Sequence, residues 1–422
     1  MIDCYTRRTF LGRGAAVAAG LVALPALDTG FGPTVANAHN VSGNAARARE
    51  LYAAMQKNFY LSDSKLYLET SPRARSNPYA YVWPFYEALA GTIDLLGIGA
   101  VGKSDVDDRL VGLAKYYRGT GSGYDSYPRS SFGAGGDRYY DDNAWVARAF
   151  IQLHRMGVQS SPSALGSAQD TFRFLETGWA DDRPGGVYWV KDGGWNFDRG
   201  TGPTGGFAKV ALHLSELEAD GVQKATHLDW GVRAYDWVTA NLLTKPGQGQ
   251  YAGRLYWDKI LGDNTIDTRY WSYNQGVMIG AGVLLYRLTA DDPNDPTKKR
   301  KYLDQAVTTA DAAIAYYDSV GWYTQPVIFN SLFFRNLLLL CGEIAKLAPA
   351  DPARARYATY LGAAQSFANR VWDDPKVHNQ QKHLIKFEER TSAFKLREQA
   401  AMVQLFACLA WTDAKNDLSL LA

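Results

Sequence analysis

Asp141 and Asp142 stand side by side in the run Tyr139-Tyr140-Asp141-Asp142-Asn143-Ala144-Trp145. The run opens a predicted helix, because Trp145, Val146, Ala149, Phe150 and Leu153 follow at helical spacing. The acids precede Trp145 by three and four residues, so both project toward that apolar stripe at the helix N-terminus. A retaining glycosidase needs two carboxyls about 5–5.5 Å apart, one as nucleophile and one as acid/base, and neighbours in a first turn can reach that separation. Two close carboxylates resist double ionisation, while the helix dipole favours negative charge, so the pair alone does not say which acid stays protonated. The competing reading is ordinary: two acids in a first turn also serve as capping and dipole decoration.

Aromatic residues and glycines concentrate around this run. Gly119, Gly121, Gly123, Gly133, Gly135 and Gly136 lie beside Tyr124 and Tyr127 just before it. A second stretch holds Gly185-Gly186-Val187-Tyr188-Trp189 and Gly193-Gly194-Trp195. Glycine lets a loop turn tightly, and Tyr and Trp supply flat apolar faces with a polar handle. Sugar rings are apolar on their C–H faces and hydroxylated at their edges. With 12 Trp and 26 Tyr in the chain, the set reads as a saccharide cleft rather than as loop closure alone.

The elements that must position these residues are helical. After residue 42, apolar positions recur at helical spacing, with about twelve helices centred near residues 51, 88, 110, 148, 169, 211, 233, 280, 308, 337, 362 and 403. No βαβ alternation, Pro/Ser-rich linker or composition shift marks a boundary. Twelve helices make six hairpins, which close into an all-α (α/α)6 barrel, the six-hairpin toroid; an open solenoid is the competing layout, and the lack of a strict repeat favours closure. Long loops at 118–139, 178–202 and 373–393 would gather at one end and build the site.

The Tyr-Asp-Asp-Asn-Ala-Trp run resembles the catalytic motif of glycoside hydrolase family 76, the bacterial and fungal α-1,6-mannanases. Tyr273-Asn274-Gln275-Gly276 is similar to that family's Tyr-Asn-Gln-Gly segment. Gly185-Gly186 with Trp189 is a weaker likeness, and Phe329 to Arg335 the weakest. The resemblance covers roughly residues 45–411. It implies an (α/α)6 barrel and a retaining mechanism, with Asp141 as nucleophile and Asp142 as general acid/base. It further implies substrate contacts from Tyr140, Asn143, Trp145, Trp189, Tyr273, Asn274 and Gln275, with Trp145, Trp189 and Tyr273 as sugar platforms. The substrate would be an α-mannan polysaccharide or oligosaccharide, cut endo-wise, with no cofactor and no metal. One departure stands out: the family usually has an Asn near the start of the helix after the Gly-Gly-Trp loop, where this chain reads Gly202-Pro203-Thr204-Gly205-Gly206-Phe207. A transglycosidase on the same intermediate and a non-catalytic mannan-binding protein remain as alternatives. No histidine pair supports an epimerase of similar architecture.

Composition sets the remaining expectations. The chain is 46% hydrophobic and 21% charged, enough for a packed core and too apolar for general disorder. A net charge of +2 with no dense Lys/Arg run excludes the footprint of a nucleic-acid binder. Thr6-Arg7-Arg8-Thr9-Phe10-Leu11, the apolar stretch Ala15 to Leu24 and Ala36-Asn37-Ala38 read in order as a Tat-type signal over residues 1–38. Residues 39–422 would form a single catalytic domain, secreted or at the cell surface, monomeric, with no other stretch apolar enough to span a bilayer. Cys341 and Cys408 sit in apolar helical contexts as buried thiols, with a disulfide as the alternative. No Cys/His spacing suggests zinc.

Overall fold

Twelve α-helices follow one another in the computed structural model, which describes residues 42–160, 162–180, 185–191, 196–295, 297–387, 392–412 and 417–422. They are α1 Ser42–Phe59, α2 Val82–Gly97, α3 Lys103–Leu113, α4 Tyr140–Arg155, α5 Ala164–Glu176, α6 Thr201–Leu217, α7 Gly221–Leu242, α8 Ser272–Leu288, α9 Thr297–Val320, α10 Val327–Ile344, α11 Tyr357–Asp373 and α12 Leu396–Trp411. Every predicted helix centre falls inside one of them. The expected signal segment lies outside the described residues, as do Gly193, Gly194 and Trp195.

Even-numbered helices pack in a closed ring, α2 on α4, α4 on α6, α6 on α8, α8 on α10, α10 on α12 and α12 back on α2. Each odd-numbered helix packs outside the ring: α3 on α2, α5 on α4, α7 on α6, α9 on α8, α11 on α10 and α1 on α12. This is the (α/α)6 toroid. Burial follows the ring: all of α10 is buried, and so is α4 from Tyr140 to Leu153. The expectation that no later stretch could span a bilayer needs correction, because Val327–Ile344 is long and apolar enough, with a mean hydropathy of 1.5. As a member of the ring it is nevertheless wholly buried, packed by its ring neighbours and by outer α11.

Alternation of inner and outer helices makes the inner six run parallel, so their N-termini share one end of the barrel. Outer α5 and α7 begin with side-chain caps, Ser163 Oγ accepting from the Gly166 amide and Asp220 Oδ1 from the Val222 and Gln223 amides. None of the six inner helices has one. Their positive dipole ends converge where the long connections lie, an arrangement that favours negative charge there. The short strands decorate those connections: β1 (Tyr60–Leu61), β2 (Leu66–Tyr67) and β3 (Thr70–Ser71) before α2, and β4 (Tyr117–Gly119) and β5 (Gly123–Tyr124) before α4. Likewise β6 (Arg199–Gly200) precedes α6, β7 (Lys259–Ile260) and β8 (Ile266–Asp267) precede α8, and β9 (His378–Asn379), β10 (Leu384–Ile385) and β11 (Phe394–Lys395) precede α12. Strands β6, β7 and β8 form an antiparallel sheet, and β3 pairs with β11. Two further long connections, residues 60–81 between α1 and α2 and 243–271 between α7 and α8, were not anticipated from the sequence. Cys341 and Cys408 are buried free thiols, not a disulfide.

Candidate active site

The N-terminal turn of α4 is held from two sides. The Tyr140 amide donates to the Trp189 carbonyl at 3.0 Å, joining α4 to the loop before α6. On the other side, Asn143 Oδ1 accepts from the Tyr124 amide at 2.7 Å, and its Nδ2 donates to the carbonyls of Tyr124 at 3.1 Å and Tyr139 at 2.8 Å. Gly123 permits that approach: its φ is +70°, and a Cβ there would lie 2.7 Å from Asn143 Oδ1. Tyr140 stacks on Phe174 with ring centroids 4.8 Å apart, and its hydroxyl meets Thr177 Oγ1 at 3.0 Å.

These clamps present the acids at the barrel end. Asp142 is 1% exposed and Asp141 8%. Asp141 Oδ1 accepts from the Asp142 amide at 3.0 Å, and Oδ2 accepts from Trp189 Nε1 at 3.2 Å. Trp189 is fixed in turn: its amide donates to the Asp198 carbonyl, its ring lies 4.9 Å from that of Tyr139, and Lys259 Nζ sits 5.3 Å from its centroid. Lys259 pairs with Asp198 at 2.7 Å. The β6–β7–β8 sheet thereby orients one acid through an indole.

Aromatic rings from four inner helices pack together at this end of the barrel, Trp145 lying one turn along α4 from the acids. Tyr273 of α8 lies 4.4 Å from Phe329 of α10 and 6.4 Å, edge-on, from Trp145 of α4. Phe329 stacks at 5.8 Å on Trp83 of α2 and meets Trp271 edge-on at 5.5 Å. Beside this wall, Asn274 Nδ2 donates to Asp258 Oδ1 at 3.0 Å, while the Asn274 Oδ1 is buried without a partner among the described residues. Burial pushes the Asp258 carboxyl up to about 6, with Lys259 opposing and Asp267 reinforcing the rise. Asp258 therefore adds a third carboxyl at the N-terminus of α8.

Several expected sugar contacts have other work. Asn143 is committed to Tyr124 and Tyr139, and Tyr140 to Phe174 and Thr177. Gln275 accepts from the Tyr256 amide at 2.9 Å and donates to the carbonyls of Tyr256 at 2.8 Å and Trp271 at 3.2 Å. Asn143 and Gln275 hold loops to helices, and Tyr140 holds α4 against the end of α5. Trp145, 2% exposed, has Arg148 against its ring at 5.1 Å and the edge of Tyr273 at 6.4 Å. Trp189 bonds Asp141, Tyr273 packs against Trp145, and Asn274 bonds Asp258. The acid-bearing helix differs from expectation in one more way. Its inward face carries Arg148, Gln152 and Arg155 below Trp145, not an apolar stripe alone: Arg148 and Gln152 meet Ala422, Gln152 also meets Arg335, and Arg155 meets Glu216. Sequence reasoning missed Asp258, Trp83 and Trp271; the clustering of Trp257, Asp258 and Trp271 before α8 was the available signal. Among the described residues, no group of three or more His, Cys, Asp or Glu is arranged to hold a metal.

A closed helical toroid with adjacent acids on an inner helix, facing its loop-rich end, defines a class of carbohydrate-processing architecture. The pattern of glycosyl hydrolase family 76 matches residues 44–415, and the chain belongs to that family. It is 29% identical over 162 residues to the mannan endo-1,6-alpha-mannosidase DCW1 of Saccharomyces cerevisiae, covering 36% of this chain and 34% of the yeast protein. The match thus spans about a third of that relative's length. A family 76 mannosidase from Bacteroides thetaiotaomicron superposes with a TM-score of 0.71 at 19% identity, over 88% of this chain and 99% of that one. An α-1,6-mannanase from Salegentibacter, an inactive variant with two adjacent Asp→Asn changes bound to α-1,6-mannotriose, superposes with a TM-score of 0.66 at 19% identity, over 87% of this chain and 99% of that one.

Proposed function

We propose that this protein is a secreted or cell-surface, endo-acting hydrolase of α-1,6-linked mannan that works by double displacement with retention. The observation that carries the reading is the adjacent acid pair on the first turn of α4, with Trp189 bonded to one of its members. Family membership and the named activity of the DCW1 relatives support the substrate class. In the first step Asp141 attacks the anomeric carbon while Asp142 gives its proton to the leaving glycosidic oxygen. Two N–H groups already point at the Asp141 oxygens, which suits an anionic nucleophile. In the second step Asp142 takes a proton from water, and that water releases the mannosyl-enzyme. Asn274, Trp189, Tyr273 and Asp258 are the proposed sugar-facing partners, and the protein acts as a monomer without a cofactor. Export follows from Arg7-Arg8 and the apolar run after them, so the secreted chain should begin near His39.

The test uses the mature chain on linear α-1,6-mannan beside Asp141→Asn and Asp142→Asn. Wild type should release short manno-oligosaccharides whose first-formed anomer is α by proton NMR, and each variant should lose at least about 10³-fold in kcat. A first-formed β anomer would remove retention. Tight binding of intact mannan with no products from wild type would leave a mannan-binding protein, and products joined to an added sugar acceptor would identify a transglycosidase.

A further inference from the structure

Gly202 is the second residue of α6, at the same barrel end as the acids. Its backbone does not need glycine, because its φ lies outside the left-handed region. Space needs it. A Cβ at this position would lie 2.8 Å from Tyr273 Cε2, 3.0 Å from the Tyr273 hydroxyl oxygen and 3.3 Å from Cζ. Contacts this short force one partner to move.

Tyr273 has little room to give. Phe329 closes one side at 4.4 Å and Trp145 another at 6.4 Å. Neither neighbour is loose: Phe329 is backed by Trp83 and Trp271, and Trp145 by Arg148. The Tyr273 hydroxyl also lies within the field of Arg269, whose guanidinium is held by both oxygens of Asp267. One edge of the ring therefore rests on bare α6 backbone, and Trp145, one helical turn along α4 from Asp141 and Asp142, rests against the ring.

We propose that Gly202 is a specificity-determining residue: by lacking a side chain it sets where the hydroxyl edge of Tyr273 stands in the wall beside the acid pair, and so sets the shape of the sugar subsite there. Gly202 touches no sugar in this scheme and acts through Tyr273. The proposal rests on the mannanase reading above.

The experiment is a double-mutant cycle on α-1,6-mannotetraose with wild type, Gly202→Ala, Tyr273→Leu and the double variant. Gly202→Ala should raise KM about tenfold with kcat within about threefold, because it disturbs binding geometry and leaves the acids in place. In the Tyr273→Leu background the same change should have no further effect. An equal KM penalty in both backgrounds, or none in either, overturns the proposal. Should Gly202→Ala alone fail to fold, a folded double variant supports the contact and an unfolded one overturns it. If wild type cleaves no α-1,6-manno-oligosaccharide, the substrate reading falls by itself. The crystal structure of Gly202→Ala then decides the proposal: a displaced Tyr273 ring supports it and an unmoved one refutes it.

Discussion

The first turn of α4 and the turns below it are both polar and both buried, yet their polar groups are arranged differently. In the first turn, Asp141 takes its bonds from a neighbouring amide and from an indole in a loop, beside a wall of aromatic rings. Further down, charged groups answer one another across the ring. Arg335 pairs with Asp94 at 2.6 Å and bonds Gln152 at 3.2 Å and Cys408 Sγ at 3.2 Å. Arg155 pairs with Glu216, and Arg287 with Glu343 at 2.7 Å. Glu87 is pushed up to about 8 by burial, and burial with four surrounding arginines drives Lys209 far below its ordinary value. Buried charges are thus paired with one another across the interior, whereas at the acid end they meet loops and aromatic rings. Perturbed titration does not by itself mark the active end, because ion-pair networks perturb groups as effectively as active sites do. Loop-rich surroundings and aromatic walls separate the two regions.

The sharpest way to break this comparison is to disturb the interior. Arg335→Met should cost about 3–5 kcal/mol of stability, because Asp94 is left buried without its partner. Denaturant unfolding measures the loss. The kcat of the folded fraction should hold, and a loss matching that of the acid variants would show that the network takes part in chemistry. A smaller effect belongs to the acid end. Trp189→Phe removes the indole donor to Asp141 and should lower kcat about tenfold, equivalent to roughly 1–1.5 kcal/mol, with little change in melting temperature. An unchanged kcat would remove Trp189 from the orienting role.

A pH dependence is expected at Asp258. Its folded-state value, about 6, is raised above the ordinary carboxyl value. Such a group binds more protons in the folded than in the unfolded state between these values, so its stabilising contribution is complete below the ordinary value and is lost as pH rises through about 6. Unfolding free energy should therefore fall by roughly 1–3 kcal/mol across that window. Asp258→Asn should flatten the fall, and an identical slope in the variant would assign it to other carboxyls.

Helix number, order and approximate position were legible because an inner helix must bury apolar residues at helical spacing wherever it packs. The acid pair was legible through its neighbours: Tyr140, Asn143 and Trp145 recur with it because they build the turn that presents it. For the same reason motif membership misled about roles. Asn143 and Gln275 look like sugar contacts in a linear string, yet each bonds the backbone of a residue 19 positions earlier, Tyr124 and Tyr256.

By itself the sequence determined the all-helical class, the six-hairpin count and the place of Asp141 and Asp142 on a first turn, since periodicity and local spacing act within one helix. Only the tertiary structure decided what each helix faces. Ring closure turns Arg148, Gln152 and Arg155 inward to Ala422, Arg335 and Glu216, and β6–β7–β8 brings Asp258 to Asn274. Gly202 reads as a helix-start glycine until Tyr273, 71 residues later, occupies the space a side chain would need. Contacts between residues so far apart depend on how six hairpins close, and no local pattern encodes that closure.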